Sequence, residues 1–203
     1  VNYLDMFFVQ AYDKQLIPVN NYIIYFNDIG ENLLDRLSRK SKYNYRREKR
    51  ILEEKIGKID IKKYDISDIT KDMVDAYFDM KKKTKNKVYN MNWKEYLETY
   101  FVSDAYVLSD NKKVIGILFS CEKTQIAYLE NFSYDTDYEK FSIGKILYYE
   151  FLNSLSKQGK KALYLAGGNY EYKKHFESEN HFCFSGTISR NEEHVVKCRM
   201  LSW

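Results

Sequence analysis

Residues 138–176, YEKFSIGKILYYEFLNSLSKQGKKALYLAGGNYEYKKHF, carry the pattern on which the fold turns. Ser142 is placed to cap a helix whose apolar positions recur as far as Lys157, and Gly159 stands where such a helix ends. ALYLA at 162–166 is short and apolar throughout, as a strand buried on both faces must be. The glycine pair 167–168 then leads into a short helical turn around Tyr170 to Phe176.

Upstream of this passage, three strand signals come in quick succession, at 104–110, 114–122 and 125–134. Short polar turns join them, so they read as an antiparallel meander. Before the meander lie a strand at 58–65, a helix from Ser67 or Asp68 to Lys83 with Met73, Ala76, Tyr77 and Met80 on its inner face, and a second helix from Trp93 to Phe101. Further upstream, NYIIYF at 21–26 reads as a strand bounded by Pro18 and by Asn27 to Gly30. From Glu31 to Lys55 apolar residues recur at mostly three- and four-residue steps among charges, a long amphipathic helix with a break expected near Ser41. Two closing strands are expected at 181–190 and 194–200. The order implies an α/β (α+β) fold, a mixed and mostly antiparallel central sheet with helices on both faces. Residues 1–57 read as an N-terminal arm, strand and basic helix, and residues 58–203 as the core of one compact unit.

Composition agrees with a globular chain. The 203 residues are 44% apolar and 31% charged, with only 8 Gly and 1 Pro, which excludes collagen, linker and low-complexity classes. At about 150 residues per domain, one large domain is expected. The longest apolar stretches, such as VIGILF at 114–119, fall far short of the ~18 residues a membrane span needs. The N-terminus has neither a basic leader nor a long apolar run, so no secretory signal is read there. Cys121, Cys183 and Cys198 are odd in number and form no CxxC pair, which speaks against a disulfide framework and a structural zinc site and makes a cytoplasmic setting the expectation. His175, His181 and His194 are too scattered to imply a metal cluster.

The order of elements resembles the GNAT N-acyltransferase fold. Two passages make the resemblance narrower, toward the CelD-like and Fem-type branch of that superfamily. SRKSKYNYRREKRILEE at 38–54 is similar to that branch's Ser/Thr-x-Lys-x-Arg-x-Asn-x-Arg entry, with Ser38, Lys40, Asn44 and Arg46 in place and Lys42 instead of Arg. The 138–176 passage is similar to its tail, with a Ser-x-Gly helix start, a glycine at the helix end, a short strand, a glycine pair and a Tyr-Lys-x-x-Phe turn. The resemblance implies direct transfer of an acyl group, acetyl first among them, from a thioester donor such as acetyl-CoA or another acyl-CoA to an amine, without a covalent enzyme intermediate and without a metal. It also implies that chains of this branch commonly carry a second, degenerate copy of the fold upstream, so that the start at Val1 would mark an excised C-terminal half.

Acyl transfer to an amine needs the amine deprotonated, the carbonyl polarised and the leaving thiolate protonated. By resemblance, Glu130 is the candidate base and Tyr172 the candidate proton donor, with Tyr170 its near rival. A strand glutamate facing solvent and a core tyrosine are the plain alternatives, the second because the chain has 20 tyrosines. The splayed strand is expected to offer its backbone to the donor at Asn131, Phe132 and Ser133. The pyrophosphate loop of standard relatives, Gln/Arg-x-x-Gly-x-Gly/Ala, aligns with EKFSIG: Glu139 takes the basic or amide position, Ser142 the first glycine, and only Gly144 is kept, with Lys145 adding charge beside it. That departure leaves room for an acyl carrier protein or an aminoacyl-tRNA as donor. Lys173 is a candidate for holding an anionic substrate group.

Residues 36–50 hold eight cations against Glu48 alone, +7 in a chain whose total is only +4. With Tyr43 and Tyr45 interleaved and Arg46 and Arg47 at the centre, the stretch reads either as a grip on a polyanion or as a solvated helix whose cations pair with Glu53, Glu54 and other acids. The expected acceptor is the amine of a small molecule, sugar or peptide. Two other readings stay open beside the thioester-dependent enzyme: a Fem-type aminoacyl-tRNA-dependent transferase, and a non-catalytic binding module with a decayed cofactor loop.

Overall fold

The structure, a computed structural model, describes residues 14–59, 61–85, 89–110, 113–167, 176 and 179–188. Its strands are β1 (Lys14–Tyr25), β2 (Ile61–Asp65), β3 (Asp104–Asp110), β4 (Lys113–Glu122), β5 (Ile126–Tyr134), β6 (Ala162–Gly167) and β7 (Glu179–Ile188). Its helices are α1 (Arg39–Ile56), α2 (Lys71–Lys85), α3 (Trp93–Thr99) and α4 (Ile143–Lys157), with single 3₁₀ turns at Leu33–Arg36, Ile66–Asp68 and Thr136–Phe141.

The seven strands form one sheet in the order β2-β3-β4-β5-β6-β1-β7. The β3, β4 and β5 strands are the expected antiparallel meander. A β5-α4-β6 crossover makes the one parallel pairing among the described strands. β1 is longer than its sequence signal and lies inside the sheet, antiparallel to β6 through Asn21 to Tyr25 and to β7 through Lys14 to Ile23. The strand runs through Pro18 in the half of β1 that, among the described residues, pairs on one side only, where a residue without an N–H is tolerated. The expected strand at 194–200 lies outside the described residues.

The helices cover both faces. On one, α1 and α4 pack Leu52, Tyr45, Ile146, Leu147 and Phe151 against Leu118 and Leu129 of the sheet. On the other, α2 and α3 pack Val74, Tyr77, Tyr96 and Leu97 against Ile117 and Phe119. The break in the first helix comes earlier than expected, at Leu37, whose extended backbone ends the 3₁₀ turn. Ser38 then caps α1, its side chain accepting from the Ser41 N–H at 3.2 Å. On the opposite face of the sheet, α3 closes in a Schellman turn. The Val102 N–H donates to the Leu97 carbonyl and the Phe101 N–H to the Glu98 carbonyl, with Phe101 itself at φ +49° in the position glycine normally takes.

Candidate active site

Two interruptions of the sheet define the site. The first is in the β4–β5 ladder. Phe119 is opposite Asn131 and Ser120 is opposite Leu129, so Glu130 is an extra residue with no partner across, a β-bulge. The second is between β5 and β6, where parallel pairing covers only Ile126↔Ala162 to Tyr128↔Tyr164. Beyond Tyr128 no further pairing joins the two strands among the described residues, although β6 stays paired with β1 as far as Gly167. Glu130 therefore stands where the sheet opens, and the edge of β5 beyond it has no strand beside it among the described residues.

Glu130 is half-buried, and burial raises its carboxyl above the ordinary carboxylate value. Among the described residues it forms no ion pair. Glu122, on β4, is the contrast. Its carboxylate is buried but held by Lys63 at 2.8 Å, by Lys160 at 3.4 Å and by the Tyr106 hydroxyl at 2.7 Å, which is a structural arrangement. Glu130 lies toward the α2–α3 face, where its charge helps burial hold the Tyr96 phenol above its usual range. Tyr96 is fully buried, and among the described residues the Tyr77 phenol is the group that interacts with its hydroxyl. Its ring lies 4.8 Å from that of Tyr100 and 5.6 Å from that of Phe119, the residue opposite Asn131.

On the other face of β5 a cleft of about 360 Å³ opens at the start of α4. It gathers Phe132, Ser142, Gly144 and Lys145, four of the six expected donor-binding residues, together with Tyr134, Glu139, Tyr148 and Tyr149. Asn131 and Ser133 alternate with Phe132 and are registered opposite Phe119 and Ile117 of the α2–α3 core, so their side chains lie on the face away from the cleft. Gly144 is what lets α4 approach β5 this closely. A Cβ there would lie 2.8 and 2.9 Å from two ring carbons of Tyr134.

Ser142 differs from its expected role. It occupies the cap position of α4, yet its side chain makes no capping hydrogen bond, and its backbone is left-handed at φ +56° and ψ +38°. The residue at the position of the first loop glycine thus keeps a glycine-like backbone without being glycine. The first N–H groups of α4 are left uncapped at the mouth of the cleft, where a helix end favours an anion. The side chains add little positive charge to them. Lys145 is tied to Glu48 of α1 at 2.8 Å, and Glu139 brings an acid to the wall. What the helix start offers an anion is therefore chiefly its backbone N–H groups.

Helix α1 forms the outer support of this cleft. Tyr45 donates to Glu150 at 2.6 Å, and Lys49 pairs with the same carboxylate at 2.5 Å. Burial pushes Glu150 up, but these two bonds outweigh it and hold the carboxyl below its ordinary value. Burial, with the charge of Glu48, pushes the Tyr149 phenol up to about 12. Tyr148 and Tyr149 follow Lys145 by three and four residues, the spacing that shares a helix face, and that signal marks them as cleft residues in retrospect. Glu48 had no such signal. Arg46 and Arg47 are exposed on the outer side of α1. Tyr172 and Lys173, with Tyr170, lie outside the described residues.

A sequence profile of the family described as "Acetyltransferase (GNAT) domain" matches residues 39–174, two thirds of the chain. The chain belongs to the GNAT superfamily. This GNAT domain shares its fold with the C-terminal domain (DUF2156) of a proposed lysylphosphatidylglycerol synthetase from Agrobacterium fabrum, at TM-score 0.64 and 11% identity over 99% of this chain and 69% of that one. It is similarly close to L-PGS from Bacillus licheniformis, at TM-score 0.64 and 10% identity over 96% and 68%. FemX follows at TM-score 0.61 and 7% identity over 84% and 61%. These likenesses, none above 11% identity, are likenesses of fold. No curated protein matches it in sequence. Among its described residues no group of three or more His, Cys, Asp or Glu could hold a metal ion, and no helix is long and apolar enough to cross a membrane.

Proposed function

We propose that the protein is an N-acyltransferase that carries an acyl group from a thioester on a phosphopantetheine arm to an amine, in one direct step, with Glu130 as the base. The observation that carries this reading is the position of Glu130: on the bulge, at the opening of the sheet, half-buried and without an ion pair among the described residues. A carboxylate in that setting has no structural charge to neutralise and a raised affinity for a proton, as a general base needs.

The fit of the donor follows from the cleft. The uncapped N–H groups at the start of α4 suit the one phosphodiester of the arm. The rings of Phe132, Tyr134 and Tyr148 suit its apolar body. That arm is common to coenzyme A, acetyl-CoA included, and to acyl carrier proteins, and the pairing of Lys145 with Glu48 favours the carrier with the single phosphate. A thioester supplies a carbonyl activated toward amines. Glu130 takes the proton that the attacking nitrogen loses as the C–N bond forms and the C–S bond breaks. The edge of β5 beyond Tyr128, unpaired among the described residues, offers backbone donors to the carbonyl oxygen. Tyr172 is the proposed proton source for the departing thiolate. The acceptor, the amine of a small molecule, sugar or peptide, would meet Glu130 from the α2–α3 face, beside Tyr96 and Tyr100.

Release of free thiol from acetyl-CoA, acyl-CoA and acyl carrier protein with a panel of amines tests this. Glu130→Gln is expected to slow turnover by about a hundredfold or more, with an unchanged thermal midpoint. Because the folded carboxyl lies above its ordinary value, the wild-type rate should rise with pH through a midpoint above that value, and this limb should vanish in the variant. An unchanged rate and profile would remove Glu130 from the mechanism. Absence of thermal stabilisation by every donor would favour a binding module instead. A second reading, an aminoacyl group delivered on tRNA, has one observation in its favour, the outer face of α1.

A further inference from the structure

The eight cations of 36–50 divide into two groups. Arg36 is bound to Glu31 at 2.7 Å, Lys42 to Asp35 at 3.0 Å and Lys49 to Glu150 at 2.5 Å. Arg39, Lys40, Arg46 and Arg47 are exposed and form no ion pair among the described residues. Among the described residues Arg50 pairs only with Glu54, at 3.7 Å with both side chains about 70% exposed, a contact of little energetic weight. At 3.6 residues per turn these five cations fall within an arc of about 120°, along a helical length of about 17 Å. Tyr43 lies within the same arc and is 65% exposed. The opposite side of α1 is occupied, with Tyr45 and Leu52 in the core and Glu48 on Lys145.

We propose that this outward face of α1 is an RNA-binding surface, taking a short run of phosphates on its arginines and one unpaired base against Tyr43. Four of the five cations are arginine, whose planar fork matches phosphate oxygens in pairs. A solitary exposed ring amid such charges suits stacking on an unstacked base. A membrane surface is the poorer match. A helix lying in the interface needs an apolar face to insert. Here that face is spent on α4, and the exposed arc offers only Tyr43 and, at its margin, Ile51. The surface lies on the helix face away from the sheet and its test reads binding rather than turnover, so its failure leaves the thioester chemistry standing, whereas its success also supports delivery on tRNA.

The probe is a fluorescent 20-nucleotide oligouridylate titrated with the whole chain, read by anisotropy. With about four phosphates neutralised, log K should fall against log salt with a slope of about −3. Arg46→Gln with Arg47→Gln should reduce that slope by about 1.4, two contacts at about 0.7 each. Tyr43→Ala should weaken binding about tenfold with the slope unchanged, and Tyr43→Phe should restore it. All these side chains are exposed, so thermal midpoints serve as the control for folding. Glu130→Gln should bind the probe as the wild type does. Three results would overturn the proposal: no binding at 50 mM salt (about the low end of usual practice), equal affinity for Tyr43→Ala, or tighter binding to phosphatidylglycerol vesicles than to the oligonucleotide. The last would assign the face to a lipid surface.

Discussion

Replacing Ser142 by glycine should stabilise the protein, although serine is among the best residues for starting a helix. At φ +56° and ψ +38° an L-residue is in the left-handed region, which costs roughly 1–2 kcal/mol. The Ser142 hydroxyl offsets none of this by capping, since it makes no capping bond. Glycine removes the strain but loses more freedom on folding, by about 0.5–1 kcal/mol. The net gain is about 0.5–1 kcal/mol, or a rise in thermal midpoint of roughly 1–4 °C for a chain of this size. A series of Ser142→Gly, Ser142→Asn and Ser142→Ala, followed by thermal and urea unfolding, reads the cause. Strain predicts Gly above Asn, and Asn above a nearly equal Ser and Ala, because asparagine tolerates this backbone. Capping predicts another order, with serine and asparagine highest, glycine a few tenths of a kcal/mol below serine and alanine about 1 kcal/mol below it. A lower midpoint for Ser142→Gly would refute the strained-loop account and restore the serine to the role its sequence position suggests.

Gly144→Ala should destabilise by about 1–3 kcal/mol, because its Cβ would lie 2.8 Å from the Tyr134 ring. Adding Tyr134→Ala should recover part of that loss in a double-mutant cycle; additive losses would contradict the close approach. Phe101→Gly should raise the thermal midpoint, since Phe101 sits at φ +49° with 77% of its surface exposed, and strain of about 1–2 kcal/mol is relieved; a fall would mean the ring has a partner that holds it. Asp135 is buried; burial raises its carboxyl, but Lys113 at 2.6 Å and the Asp137 N–H outweigh that and hold it below its ordinary value. Its folded-state value is thus lower than the unfolded one, so its contribution is present above about pH 4 and is lost as pH falls through the folded value. Urea midpoints taken from pH 7 down to pH 3 should fall more steeply in the wild type than in Asp135→Asn, and parallel curves would exclude the residue.

Much of the architecture was legible in short-range pattern. Alternation gave the three meander strands, three- and four-residue steps gave α2 and α4, and Gly159, at φ +74°, ends α4 as its position implied. These features depend on neighbours within a turn or a pleat, and the chain states them locally. The two ends of the first helix were less legible. Ser38 and Ser41 are both serines before charged helical sequence, and only the extended backbone at Leu37 selects Ser38 as the cap. For the candidate site, sequence pointed to Glu130 as a residue type on a strand. It could not place the bulge, because a bulge belongs to the register between two strands and not to either one.

By itself the sequence determined the order of elements, the apolar faces and the concentration of +7 in residues 36–50. The tertiary structure decided what each of those charges does. Lys145 and Glu48 are 97 residues apart in the chain and 2.8 Å apart in space, and their pairing removes from the cleft the cation the sequence had put there. The Lys49 and Glu150 partners are similarly 101 residues apart. The insertion of β1 between β6 and β7 is likewise a long-range pairing, as is the pairing of β5 with β6 that stops at Tyr128, short of Glu130. Propensity and periodicity are summed over neighbours, whereas register and charge pairing are set by whichever distant surface packs against a helix or strand, so only the folded chain could settle them.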